Sequence, residues 1–216
     1  MAAAPAPDAL RDRLIAEART LAPPTMSFDR SISAVQTAKS GATESERRAD
    51  RWTGSSWVLL SVNGNAPSAD DASKYAKQTK AAIVPGYYRI GLYLAGATSR
   101  TTDAQGRTVY HIATLPKGSI NVGGDVSDKM AADITVESGA SPYASRLHVF
   151  AKAPFRVMLV AKIDSLDTVS DYARGADGKP VLVRSVNTIT GSQFGKDGTQ
   201  RTDAAFSNVR NIENAR

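Results

Sequence analysis

Cysteine is absent from this 216-residue chain. That excludes disulfide frameworks, thiolate nucleophiles and cysteine-built zinc or iron–sulfur centres together. Histidine is nearly as scarce: His111 and His148 are the whole set, and neither has a second histidine two or four residues away to make a ligand pair. Each reads as a strand histidine satisfied by a neighbour. Glutamate is confined to Glu17, Glu44, Glu46, Glu137 and Glu213, so a paired-carboxylate glycosidase would have to draw on aspartate. No G-x-S-x-G elbow, phosphate-binding loop or dinucleotide fingerprint occurs, and no run approaches the ~18 apolar residues of a membrane-spanning helix. The chain therefore reads as soluble or peripherally attached. Asp125, Asp128 and Asp133 gather around Gly123-Gly124, but their spacing matches no calcium loop, and turn or cap roles are expected of them. No catalytic residue, cofactor or metal is expected.

Charge is present but diffuse. The formal net charge is +6, yet the densest basic group, Arg47, Arg48 and Arg51, alternates with Glu44, Glu46 and Asp50. That pattern predicts a solvated strand face laced by cross-strand pairs. With no reader motif beside it, nucleic acid is not an expected partner, whereas the charge is compatible with weak peripheral contact with anionic lipid headgroups or lipopolysaccharide. Met1 to Pro7 is a small, Ala/Pro-rich segment of the kind that follows a signal-peptidase cut. Together with cysteine avoidance it predicts a secreted bacterial protein of the periplasm or cell envelope, with residues 1–7 as a disordered mature N-terminus.

Composition near the globular average and a length that suits one large β domain predict a single domain over residues 1–216. Asp8 to Ala22 reads as an amphipathic helix, with Leu10, Leu14, Ile15, Ala18 and Leu21 on one stripe and Pro23-Pro24 as its stop. From Thr25 the period becomes two, with Met26, Phe28, Ile32 and Ala34 on one face and Arg30 interrupting it. A polar strand over Thr43 to Arg51 and an apolar one over Trp57 to Val62 follow. Ser68 and Asp71 have capping-box spacing. Residues 68–97 then form a helical insertion or lid, although Gly91 and Gly96 weaken its second helix. Beyond Gln105-Gly106, strands are expected over Thr108 to Leu115, Ala131 to Val136, Arg146 to Ala151, Phe155 to Val169, Lys179 to Ser192 and Gln200 to Val209. Asp177-Gly178 and Asp197-Gly198 are the strongest hairpin signals. The fold class is mainly β (α+β): a large curved antiparallel sheet or incomplete barrel with an N-terminal helix and a helical insertion.

This order of elements resembles the periplasmic lipoprotein-carrier superfamily of LolA/LolB-like half-barrels. The segments Arg51 to Pro67 and Pro154 to Tyr172 are similar to uncharacterised secreted bacterial proteins. The resemblance is one of topology and carries no diagnostic motif. The carrier's lid-holding basic residue, near a proline on an early strand, has no counterpart here. What the resemblance implies is an apolar concave face that accepts acyl chains.

Several strands are apolar on both faces, Trp57 to Val62 and Val157 to Ile163 among them, which requires cover on both sides. The function expected is a non-enzymatic carrier or binding module for a lipid-like ligand or a lipidated partner. Met26, Phe28, Ile32, Trp57, Leu59, Val157 and Leu159 are the candidate lining residues. Two other readings stand beside it: a structural or interaction protein of the envelope with a solid core, and a hydrolase. The hydrolase would require a carboxylate and a hydroxyl within reach of His111 or His148. Ligand identity and oligomeric state are left open.

Overall fold

A computed structural model describes residues 8–21, 26–78, 86–157, 161–193 and 196–212. The chain runs α1 (Ala9–Thr20), β1 (Met26–Ala38), β2 (Thr43–Trp52), β3 (Trp57–Val62), α2 (Ala69–Gln78), α3 (Tyr88–Ala95), β4 (Ser99–Thr102), β5 (Thr108–Ile112), β6 (Met130–Glu137), β7 (Tyr143–Ala151), β8 (Phe155–Val157), β9 (Ala161–Arg174), β10 (Pro180–Gln193) and β11 (Lys196–Asn211). All strands join one sheet in the order β3-β2-β1-β11-β10-β9-β7-β6-β5-β4, with β8 paired to β9 alone. The pairings are antiparallel throughout. The mainly β, open-sheet class expected from the sequence is the one found.

The topology is that of an up-and-down meander interrupted at one point. Strands β3 and β4 are successive along the chain, yet they occupy the two edges of the sheet, while β1 and β11 close the ends of the chain on each other. The segment that carries α2 and α3 runs from one edge to the other. No described helix is long and apolar enough to cross a membrane.

Two clusters form the interior. In the larger, Leu14 and Ala18 of α1 and Ile90, Tyr93 and Leu94 of α3 pack on Tyr110, Ile112, Ile134, Val136, Leu147 and Leu166 of β5, β6, β7 and β9. Asp8 caps α1 by accepting the Arg11 N–H at 3.1 Å, which satisfies one of the donors that a helix start leaves free. Glycine at position 91 has a reason that helix propensity hides: a Cβ there would lie 3.0 Å from Ala18 Cβ, so its absence lets α3 approach α1. In the smaller cluster Met26, Phe28, Trp52 and Trp57 pack together with half-buried Tyr75 of α2. Ser68 accepts the Asp71 N–H at 3.1 Å and donates to its carboxylate at 2.7 Å, so the predicted cap starts α2.

The register places both clusters on one face, because cross-strand neighbours run Ile134, Leu147, Ser170, Ser185, Ala204, Ile32. Along that row the side chains change from large and apolar to small and polar. The stretch between the two clusters is lined by Ser170, Ser185, Asn187, Thr202 and Ala204, all buried or half-buried, and is bridged by Phe206, which packs against both.

Three local expectations are corrected. The run Phe155 to Val169 is not one strand: Phe155 pairs with Ile163 and Val157 with Ala161, so it doubles back as β8 and β9, with residues 158–160 outside the described set. Nothing in its apolar alternation marks the reversal. Asp197-Gly198 is not a turn but lies in β11, where Gly198 faces Gly191. A Cβ on Gly198 would stand 2.8 Å from the Thr37 carbonyl oxygen, so this glycine serves close strand approach. By contrast, Gly178 adopts a φ of +74° in the β9–β10 turn, as the other Asp-Gly pair predicted. Third, β4, which had no sequence signal, pairs with β5 as an edge strand.

Candidate functional site

An open cleft of about 430 Å³ lies where α1 ends, β1 begins and β9 turns into β10. Leu21, Met26, Tyr87, Pro180, Val181 and Val209 supply its apolar lining, and Thr20, Asp177, Lys179 and Arg210 its polar groups. Its wall is held in place by Arg174 at the end of β9. The guanidinium donates to the Gly178 carbonyl at 2.5 Å, to Glu17 of α1 at 3.3 Å and to the Ser141 carbonyl at 3.0 Å. One side chain thus ties the β9–β10 turn to α1 and to the β6–β7 loop. Tyr87 is fixed from behind: its hydroxyl accepts the Ala144 N–H at 2.5 Å, and its ring meets Tyr172 edge-on at 5.6 Å. Burial pushes the Tyr87 hydroxyl far above the usual phenol range, so it stays neutral.

A second cleft of about 340 Å³ adjoins the first and shares Arg210 with it. Its lining is Ser27, Phe28, Asp29, Arg51, Asn208 and Arg210. The chain makes it with a bulge: β1 and β11 slip by one residue between Ser27 and Asp29, and Asn208 takes a φ of +52°. Bulges re-aim side chains, and Asn208 Nδ2 here donates to Asp29 at 2.7 Å. Arg51 grips the same carboxylate at 2.5 and 3.0 Å. The Arg51 hydrogen bond, aided by Asn208, outweighs partial burial and holds the Asp29 carboxyl below its usual range.

The smaller core cluster conceals a charged network. Asp50 is completely buried, which corrects the reading of Arg47 to Arg51 as a wholly solvated face. Arg30 donates to it at 3.1 and 2.9 Å, and the Tyr75 hydroxyl donates at 2.5 Å. The Arg30 guanidinium lies 4.1 Å from the Trp57 ring centroid, and that of Arg48 lies 5.1 Å from the Tyr75 ring centroid. Arg51, in contrast, does form the expected exposed cross-strand pair, with Asp29.

The histidines lie on the opposite face of the sheet. His111 Nδ1 is 2.7 Å from Asp133 and its Nε2 is 2.7 Å from Thr101 Oγ1, while His148 Nε2 is 2.7 Å from Asp167. The carboxylate and hydroxyl required of a hydrolase are both within reach of His111. Their setting is open: Thr101 is exposed, and His111 and Asp133 are each one-third exposed. Asp125 staples its loop by accepting from Ser127 and from the Gly118 N–H. Asp128 forms an exposed pair with Lys129. Among the described residues no cluster of three metal-ligating side chains occurs.

Of the seven candidate lining residues, Met26 borders the first cleft and Phe28 the second. Trp57 packs in the smaller cluster, and Leu59 is buried opposite Asp50. Ile32 is half-buried between Arg48 and Ala204, Val157 belongs to the larger core, and Leu159 falls outside the described residues. Sequence reasoning missed Leu21, Val181, Val209 and Arg210. They come from three separate segments, and only the β1–β11 and β9–β10 pairings assemble them.

The fold and clefts define a mainly β protein built on one open antiparallel sheet, with a cleft where the ends of β1, β9, β10 and β11 meet α1. No protein-family model matches the sequence, and no curated protein is detectably similar. A solved structure, that of a LolA superfamily protein from Nitrosomonas europaea, is similar over 94% of each chain, at 9% identity and a TM-score of 0.24. That superposition is too loose for residue-by-residue comparison, so the site is read from this chain's own side chains.

Proposed function

We propose that this protein is a non-enzymatic binding or carrier module for a lipid-like ligand, acting in the bacterial periplasm or cell envelope. The observation that supports this reading is the cleft of about 430 Å³, within the size range of small-molecule sites and lined by apolar side chains interspersed with polar ones. Burying an acyl chain there gains about 0.8 kcal/mol per CH₂ and needs no catalytic residue. The small polar groups between the two core clusters favour the end of the sheet over its middle as the place for the chain.

Native mass spectrometry of protein purified gently from its host tests the proposal, together with titration of a fluorescent fatty acid. A bound lipid, lost in a Val181→Asp variant that keeps the wild-type circular dichroism, is the expected result. Protein that is always bare and leaves the fluorophore unbound sinks the reading. Cell fractionation tests the location separately.

The Thr101–His111–Asp133 chain favours a second reading, a hydrolase in which His111 would draw a proton from Thr101. Exposure works against it, because water weakens the electrostatic stabilisation on which acyl transfer depends. Labelling of Thr101 by a fluorophosphonate probe would establish this reading, and a chain that stays unlabelled removes it.

A further inference from the structure

The two adjoining clefts differ in chemistry and share one cation. The first is the more apolar of the two, whereas the second is walled by Ser27, Asp29, Arg51 and Asn208 around the ring of Phe28. Arg210 borders both. Asp29 is gripped by Arg51 and Asn208, and Arg210 adds only a weaker electrostatic pull on the same carboxylate, so most of its charge is left for a ligand. Across the first cleft Asp177 has a nearby cation in Lys179, at 3.9 Å. Among the described residues Arg210 forms no salt bridge, and its side chain is exposed. Counting Arg51, Lys179 and Arg210 against Asp29 and Asp177, the paired clefts carry one net positive charge, and it sits at their junction.

We infer that the ligand is an amphiphile with an anionic headgroup, its hydrocarbon chain lying in the first cleft and its head held at Arg210 in the second. The inference rests on the reading of the first cleft as a binding site and adds the class of ligand. The bulge at Asn208 supports the division of labour, because it lies in the wall of the second cleft and turns Asn208 onto Asp29 there. Val209, just beyond it, packs against the Met26 cluster, while the next residue is Arg210. A guanidinium presents paired donors that suit carboxylate and phosphate oxygens alike, and the shared requirement is a negative head on an apolar tail.

The test uses the full chain with the neutral fluorophore N-phenyl-1-naphthylamine, displaced by three twelve-carbon amphiphiles: dodecyl phosphate, dodecyl maltoside and dodecyltrimethylammonium. Inorganic phosphate alone is the fourth arm. Dodecyl phosphate is expected to displace the probe at a concentration roughly fivefold to tenfold lower than the other two, an advantage that shrinks as salt is added. In Arg210→Gln dodecyl phosphate loses its advantage over dodecyl maltoside, and Arg210→Lys keeps most of it. Equal displacement by all three amphiphiles overturns the headgroup assignment and leaves the binding function standing. If neither the probe nor any amphiphile binds, the binding function itself has failed. Competition by inorganic phosphate at the same concentration as dodecyl phosphate would make this an anion site and overturn the inference.

Discussion

Arg30 on β1 and Asp50 on β2 sit directly opposite each other and join through two hydrogen bonds, of 3.1 and 2.9 Å, beneath α2. Asp50 has no exposed surface, and Arg30 retains little. Removing one partner strands the other in a poorly solvated place. Asp50→Ala is therefore expected to cost about 3–5 kcal/mol, whereas an Arg30→Met/Asp50→Leu double variant should recover most of that loss. Urea denaturation of the two variants measures both. If the single variant unfolds at the wild-type midpoint, the network contributes nothing to stability.

Tyr75 is the link between that network and α2. Apart from half-buried Ala72 and Tyr75, the helix residues whose burial is described, 69–77, are exposed. Its hold on the sheet therefore depends on the Tyr75 hydroxyl at Asp50 and on the ring's edge contact with Trp57, 6.4 Å between centroids. Tyr75→Phe keeps the ring and deletes the hydroxyl, an expected loss of about 1–2 kcal/mol. Both tryptophans of the chain, Trp52 and Trp57, lie in this cluster, so selectively excited tryptophan fluorescence reports on it alone. The variant should show greater acrylamide quenching and faster amide exchange over residues 69–78, with exchange over α1 and α3 unchanged. Equal quenching in the two proteins would mean that the ring alone holds the helix.

Gly91 sets how closely the two helices of the larger core approach. A methyl group at this position meets Ala18 Cβ at 3.0 Å and the Ile15 carbonyl oxygen at 3.4 Å, and anything larger must push α3 away from α1. Gly91→Leu is expected to destabilise by about 1–3 kcal/mol through overpacking, despite the gain in helix propensity. Pairing it with Ala18→Gly opens space on the facing helix and should restore part of the loss. Thermal unfolding of the single and double variants decides this, and a Gly91→Leu protein as stable as wild type would show that the helices are not in close contact.

Period-two alternation placed Met26, Phe28, Arg30 and Ile32 on one face of β1, and helical spacing placed Leu14 and Ala18 on the buried stripe of α1, because burial repeats with local geometry. The pattern also flagged Arg30 as an intruder on an apolar face. Its partner is fixed by the β1–β2 register, a long-range property, so Asp50 looked like one more solvated carboxylate. Glycine misled in both directions: Gly91 argued against a helix that exists, and Gly198 argued for a turn that does not. In each case the reason is a close approach to a distant element. The cleft was least accessible, since its walls come from the ends of α1, β1, β9, β10 and β11.

Asp8 joins three elements, and its ionisation makes that junction sensitive to acid. Its carboxylate caps α1, pairs with Arg100 of β4 at 3.1 Å, and accepts the Tyr110 hydroxyl of β5 at 3.0 Å to each oxygen. Burial raises its pKa, but the Arg11 N–H, Arg100 and Tyr110 together outweigh burial and leave it below the ordinary 3.8. The Tyr110 hydroxyl is pushed up to about 12, by burial first and then by the carboxylate, so it remains a donor at every pH of interest. A carboxyl whose pKa is lower folded than unfolded contributes stability that is fully present above the unfolded value and lost as pH falls through the folded one. Asp8→Asn keeps a competent helix cap but removes the charge that Arg100 sees. Wild type should therefore be more stable than Asp8→Asn at pH 6, and the gap should close as pH falls below the ordinary 3.8 and the wild-type carboxyl takes up its proton. Unfolding midpoints measured at one-unit intervals test this. A gap that stays constant down to pH 2 would show that the loss in Asp8→Asn comes from hydrogen-bond geometry and not from charge.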